Sequence, residues 1–428
     1  MLAKDKFAVT PPMGWNSWDC YGAAVNEEQL LGNAEYIAKN LKQFGWEYVV
    51  CDIQWYEPTA DSNNYHKFAD LCMDEYSRVI PAPNRFPSGF AAIAEKIHSM
   101  GLKFGIHIMR GIPRQAVHRN TKIKGTDRTA RDIAAFYSLC SWNTDMYGVD
   151  TGEEGAQEYY NSIFELYASW GVDYVKVDDA SVTEFNLQNP YSAKEEIEMI
   201  RRAIDNCGRK IVFSLSPGPA QIENAEHLSQ NANLWRMTGD FWDCWDKLYD
   251  AFERCENWNP FRKEGCWPDC DMLPLGKISK TCCCAGEQDR YTNFTAAEQK
   301  TLMNLWCIFR SPLMLGGELR ENRKEDLELI TNKELLDINQ HSTDNRQLFR
   351  TDEEAAWVCR DKNGCVVLAL FNLSDKEKTV AADLAAYGLK GNNTAVDIWT
   401  KEESDISTTV YSKTLSEHES VIVRIQKK

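Results

Sequence analysis

The sequence predicts an α/β protein: an eight-stranded parallel (β/α)8 barrel followed by a C-terminal antiparallel β-sandwich. Three observations carry that expectation. Short apolar, β-branched runs alternate with amphipathic helical stretches over about the first 340 residues, the pattern of repeated βα units. The texture then changes to short alternating runs broken by turn residues, as in a sandwich. A chain of 428 residues also exceeds what one core ordinarily absorbs. The predicted domains are 1–342 and 343–428.

Strands are expected over 13–15, 48–51, 103–108, 174–177, 211–215, 234–238, near 271–273 and over 311–315. Each is a short run suited to a strand buried on both faces, and eight such units is the count of a closed barrel. Helical patterns lie between them, over 27–44, 89–100, 155–170 and 193–206. A further helix over 295–309 is the most clearly marked. Thr295 caps it, Glu298 completes a capping box, and Leu302, Leu305 and Trp306 form the buried stripe. Beyond residue 346, strands are expected over 356–359, 365–371, 393–399, 408–410 and 420–425. Lys-Asn-Gly at 362–364 and Gly-Asn-Asn at 391–393 supply turns between them.

Composition excludes several classes of partner. The net charge of −16 argues against nucleic acid and against an anionic membrane surface. A small neutral carbohydrate needs no electrostatic steering and fits. No stretch approaches the length of a membrane span, and the N-terminal residues lack the apolar run of a signal peptide, so a cytoplasmic location is expected. The odd count of 15 cysteines, without a regular frame, fits a reducing compartment and free thiols. Cys266, Cys270, Cys282, Cys283 and Cys284 are close in sequence but lack CxxC pairing and nearby histidines, so no metal and no cofactor are expected. A homo-oligomer is left open.

Chemistry in a parallel barrel sits at the carboxyl ends of the strands, and nearly every predicted strand ends in polar residues. The clearest is YVKVDDAS at 174–181, an apolar run that stops at Asp178 and Asp179. Alternation puts Lys176 and Asp178 on one face, where the lysine favours an ionised carboxylate. Asp179 as an ordinary helix cap is the competing reading. The other strand ends supply Trp18 and Asp19; Asp52 and Trp55; His107, Arg110 and Arg114; Ser214 and Ser216; Arg236, Asp240 and Asp243; and Asp269 and Asp271. A mouth rich in Asp, Trp and Arg, without phosphate or metal motifs, points to a sugar site. Asp178 and Asp240 end the fourth and sixth strands and form a candidate pair for retaining glycoside hydrolysis, which needs two carboxyl groups about 5–5.5 Å apart. Asp243 is expected to cap the helix that follows it.

These blocks resemble glycoside hydrolase family 27, the α-galactosidase family. MGWNSW (13–18), YVVCD (48–52) with Trp55, LKFGIH (102–107), WGVDYVKVDD (170–179), WRMTGDFWDCW (235–245), WPDCDML (267–273), LWCIFRSPLMLGGELR (305–320) and NKELLDINQ (332–340) follow the family's order over nearly the whole chain. The resemblance implies a retaining exo-glycosidase releasing terminal α-D-galactosyl residues, with Asp178 as nucleophile and Asp240 as acid/base. It implies sugar-binding roles for Trp18, Asp52, Lys176 and Arg236. His107, Ser214 and Asp271 join them as candidates from their strand ends.

The chain also departs from the family pattern. Ile53 stands where the family usually has a second Asp that helps hold the 4- and 6-hydroxyls of galactose. His107 stands where Tyr is frequent, and Ala180 where a disulfide partner is usual. SLSPGP (214–219) replaces a bulky or acidic selector near the 2-substituent. The expected consequence is altered sugar choice: a β-L-arabinopyranoside, an α-N-acetylgalactosaminide or an α-glucoside. A catalytically silent carbohydrate-binding protein is the alternative of another class, and the presence of both Asp178 and Asp240 weighs against it.

Overall fold

The computed structural model describes residues 2–62, 65–282 and 288–427. The chain divides into two compact units. The first comprises Met1–Asp240, Lys263–Thr292 and Leu313–Asn322, and the second Phe241–Arg262, Asn293–Pro312 and Arg323–Lys428. The helix expected over 295–309 thus groups with the C-terminal strands, whereas the sequence assigns it to the barrel.

The first unit is built on eight strands: β1 (Met13–Asn16), β2 (Tyr48–Cys51), β3 (Lys103–Met109), β4 (Tyr174–Asp178), β5 (Val212–Leu215), β6 (Leu234–Arg236), β7 (Trp267–Asp269) and β8 (Leu313–Leu315). Each pairs in parallel with its neighbour from β1 to β7, and β8 pairs with β1. The seventh strand departs from expectation. Residues 271–273 were read as its body, but the ladder with β6 covers Trp267–Asp269 only. Asp271 takes φ +82, which breaks the strand, and the barrel closes through one isolated bridge from Leu273 to Leu315. The Leu273 N–H donates to Met314 O at 2.7 Å, and the Gly316 N–H donates back to Leu273 O at 3.0 Å.

Side chains that point into the barrel change character along its axis. Tyr48, Val50, Tyr174, Val212, Leu234, Trp267 and Met314 form one buried cluster. The Tyr48 and Tyr174 rings lie 5.6 Å apart, and Gly14 makes room for them, since a Cβ there would sit 2.5 Å from Tyr48 Cβ. Two residues further along the same strands stand Asp52, Lys176, Ser214, Arg236 and Asp269, because alternation returns every second residue to the interior. The barrel is therefore an apolar plug with a charged top.

The helices form where the pattern places them. Ala156–Trp170 buries Ala156, Tyr159, Tyr160, Ile163, Phe164 and Tyr167, a 3–4 spacing, and ends on Gly171 in the left-handed region. The stretch over 27–44 is helical but not uniform: α over Glu27–Tyr36, π over Ile37–Leu41 and 3-10 over Lys42–Phe44. Between β3 and the helix at Ala156 the chain also forms a three-stranded antiparallel sheet of Ile112–Pro113, Ala134–Leu139 and Met146–Val149, which the sequence reading missed. No described helix is long and apolar enough to cross a membrane.

In the second unit, Thr295 and Glu298 form the expected capping box. Its strands make a six-stranded antiparallel sheet, in spatial order Thr343–Arg350, Glu354–Arg360, Val366–Asn372, Ser420–Lys427, Asn393–Asp397 and Glu403–Ile406. A second sheet pairs Lys378–Asp383 with Val410–Leu415. Residues from both sheets, among them Val358, Leu368, Leu370, Val380, Leu415, Val423 and Ile425, share one core. The strands at Thr343–Arg350, Lys378–Asp383 and Glu403–Ile406 were not expected. All three lie at sheet edges or in the small sheet, where half or more of the residues meet solvent.

Candidate active site

Four of the predicted residues converge at the top of β2, β3 and β4. Asp52 is 1% exposed and surrounded by donors. Asn16 Nδ2 donates to its Oδ2 at 2.8 Å, while the Ile53 N–H at 2.9 Å and His107 Nδ1 at 2.8 Å reach its Oδ1. Lys176 Nζ lies 3.8 Å from Oδ2. Burial opposes the Asp52 charge, but the charges of His107 and Lys176 and these hydrogen bonds outweigh it, so the carboxyl stays well below the usual carboxylate range. Charge-assisted bonds contribute about 1.5–3 kcal/mol each, enough collectively to offset the desolvation of one carboxylate.

Asp178 ends β4 at 9% exposure. Its Oδ1 accepts from the Asp179 N–H at 2.9 Å, and its Oδ2 lies 3.4 Å from His107 Nε2. Burial again opposes ionisation. His107, then Lys176 and the Asp179 N–H, reverse that, and the carboxyl is held below its ordinary value. The sequence reading credited Lys176 with this effect, but the cation nearest Asp178 is His107. Lys176 is tied more closely to Asp52; burial opposes its charge, but the charges of Asp52, Asp271 and Asp178 together raise the ammonium above its ordinary value.

A second group gathers around Arg236 at the top of β6 and β7. Its Nη2 lies 2.8 Å from Asp271 Oδ2 and 3.2 Å from Asp240 Oδ1, and donates to Gly239 O at 2.7 Å. Asp271 is 7% exposed, whereas 78% of the Asp240 side chain meets solvent. Asp269 donates no charge to this pairing readily: burial and the adjacent Asp271 push its carboxyl up to about 6. A cavity of about 10 Å³ joins the two groups, lined by Asn16, Lys176, Arg236, Asp269 and Asp271 above Tyr174.

The remaining candidates flank these groups. Trp18 is half-buried and stacked on Tyr65, with centroids 6.1 Å apart, and its N–H donates to Asn16 Oδ1 at 2.9 Å. Ile53 is buried directly after Asp52. Ser214 pairs in register with Lys176, in the layer that also holds His107.

Other expectations require correction. Asp179 caps no helix, and the next helix begins at Lys194. It adopts φ +54 and turns its carboxylate to Arg110, which also binds Glu196 at 2.7 Å. Asp243 does not cap the helix Trp245–Trp258; its Oδ2 accepts from the Asn293 N–H at 2.6 Å. Trp55 faces the helix layer and donates from Nε1 to His107 O at 2.8 Å. Arg114 stacks on Phe68 and Tyr147 instead of entering the mouth. Cys266 is buried with its Sγ 3.4 Å from Lys4 Nζ, and Cys283 and Cys284 lie outside the described residues. Sequence reasoning missed Asn16 and Glu196. Strand parity with Gly14 could have revealed Asn16, but Glu196 sits within a helix and carries no such signal.

Comparison with known proteins places matches along nearly the whole chain. The family profile described as alpha galactosidase A matches residues 10–155 and 144–341, and the profile of the alpha galactosidase C-terminal beta sandwich domain matches 351–425. Among solved structures, an arabinose complex of a GH27 β-L-arabinopyranosidase variant from Geobacillus stearothermophilus is 53% identical. The match has a TM-score of 0.97 and covers 100% of this chain and 99% of that one. A putative α-N-acetylgalactosaminidase from Bacillus halodurans is 51% identical, with a TM-score of 0.88 and 98% coverage of both chains. Alpha-galactosidase 2 of Arabidopsis thaliana is 26% identical over 404 residues, 93% of this chain and 85% of the relative.

Proposed function

The chain belongs to glycoside hydrolase family 27, the α-galactosidase family, and from that premise we propose a retaining exo-glycosidase in which Asp178 is the nucleophile and Asp240 the acid/base. An Asp178 oxygen attacks the anomeric carbon while the bond to the aglycone oxygen breaks and Asp240 gives that oxygen its proton. Water then attacks the same carbon, the Asp240 carboxylate takes its proton, and the ester to Asp178 breaks to restore the carboxylate. Lys176, Asp52 and Arg236 bind the sugar hydroxyls, and Trp18 offers its indole to the apolar sugar face.

The observation that carries the sugar assignment is Ile53, buried beside Asp52. β-L-Arabinopyranose has the ring configuration of α-D-galactopyranose without the hydroxymethyl group at C5. A wall with isoleucine in place of a carboxylate has no acceptor for the missing hydroxyl, so the terminal sugar favoured is β-L-arabinopyranosyl, with α-D-galactosyl as the slower substrate. The 53% identical β-L-arabinopyranosidase supports this choice. A second reading, α-N-acetylgalactosaminide, draws support from the small Ser214 and Ser216 and from the 51% identical relative.

Nitrophenyl β-L-arabinopyranoside, α-galactoside, α-N-acetylgalactosaminide and α-glucoside compared by kcat/KM test the assignment. The arabinopyranoside is expected to lead. Ile53→Asp should move the arabinopyranoside-to-galactoside ratio toward galactoside by about 1.5–3 kcal/mol, roughly 10- to 150-fold. An unchanged ratio would mean that Ile53 does not meet the sugar.

A further inference from the structure

We propose that His107 is a positioning residue that couples Asp52 to the nucleophile Asp178. The inference rests on the assignment of Asp178 above. The ring is 2% exposed, and each of its nitrogens faces a carboxylate: Nδ1 lies 2.8 Å from Asp52 Oδ1 and Nε2 lies 3.4 Å from Asp178 Oδ2. Nδ1 is taken by Asp52, while Nε2 makes no hydrogen bond and meets Asp178 Oδ2 at ion-pair distance.

A ring bonded to one carboxylate through Nδ1 and turned toward a second through Nε2 suits the imidazolium, which carries an N–H on both nitrogens. The charged groups facing the ring are Asp52 from β2 and Lys176 and Asp178 from β4. Burial and Lys176 disfavour the cation. The two carboxylates outweigh them, and the ring stays protonated above its ordinary value.

A dependence follows that reaches across three strands. The Asp52 charge holds the proton on His107, and the His107 charge keeps buried Asp178 ionised. Only the ionised carboxylate can attack the anomeric carbon. Asp52 therefore serves twice, once toward the sugar and once, through the imidazolium, toward the nucleophile. Neutralising either Asp52 or His107 should leave Asp178 with its desolvation less compensated, and its protonation should reach higher pH.

The test is the pH profile of kcat/KM, whose acid limb reports the free enzyme's essential carboxylate. His107→Gln keeps an amide donor and removes the charge. It should move the acid limb to higher pH by about 1–3 pH units, with the loss at pH 6 falling mainly on kcat. Asp52→Asn should move the limb the same way, and the double variant should move it no further than the larger single shift. If His107→Gln raises KM and leaves the acid limb in place, the ring binds sugar and the proposal is wrong. Shifts that add in the double variant would also overturn it. Should His107→Gln fail to fold, Asp52→Asn decides alone: an unmoved acid limb refutes the coupling. The nucleophile assignment is checked separately by azide rescue of Asp178→Gly, so failure of one reading is distinguishable from failure of the other.

Discussion

The two carboxyls proposed as catalytic live in opposite surroundings. Asp178 is buried, flanked by an imidazole and an ammonium, and bonded by a backbone N–H. Asp240 leaves 78% of its side chain in solvent and has one guanidinium beside it at 3.2 Å. The contrast follows from the two tasks. A nucleophile must be charged at every encounter with substrate, and fixed buried cations hold it so. An acid/base must gain and lose a proton in each turnover, and a carboxyl open to water exchanges protons freely.

Two substitutions would break this contrast if it is wrong. Asp178→Asn should lower kcat by at least about 10⁴-fold for every leaving group, with far-UV circular dichroism unchanged. A variant with near-normal turnover would move the nucleophile elsewhere. Asp240→Asn should cost less, about 10²–10⁴-fold, and unevenly: a nitrophenolate leaves with little protonation, while an alkyl or sugar alcohol needs the acid. Steady-state rates on both kinds of substrate measure the difference. Equal losses on both would place the acid in another residue.

The sequence disclosed the barrel and the identity of most mouth residues because both depend on short-range pattern. Parity along YVKVDD was sufficient to put Lys176 and Asp178 on one face, and the capping box at Thr295 and Glu298 formed as read. Pairings between strands were not legible. Nothing local says that His107 reaches both Asp52 and Asp178, or that Asp179 turns away to Arg110, because those contacts depend on the register of β2, β3 and β4. The seventh strand was misplaced for a related reason. Apolar Met272 and Leu273 resemble a strand locally, yet the left-handed backbone at Asp271 interrupts the ladder.

That interruption gives the barrel a splice. Seven of its eight seams are ladders of two or more paired residues, but the eighth is the single bridge from Leu273 to Leu315. A hoop under thermal agitation parts first at its shortest overlap, and local opening of this kind costs less than global unfolding. The segment that would loosen carries Asp271, the buried partner of Arg236 beside Asp240. Warming should therefore silence turnover before it melts the helices. The midpoint of reversible activity loss is expected a few degrees below the circular dichroism midpoint, and coincident midpoints would show that the splice is as firm as the rest of the ring.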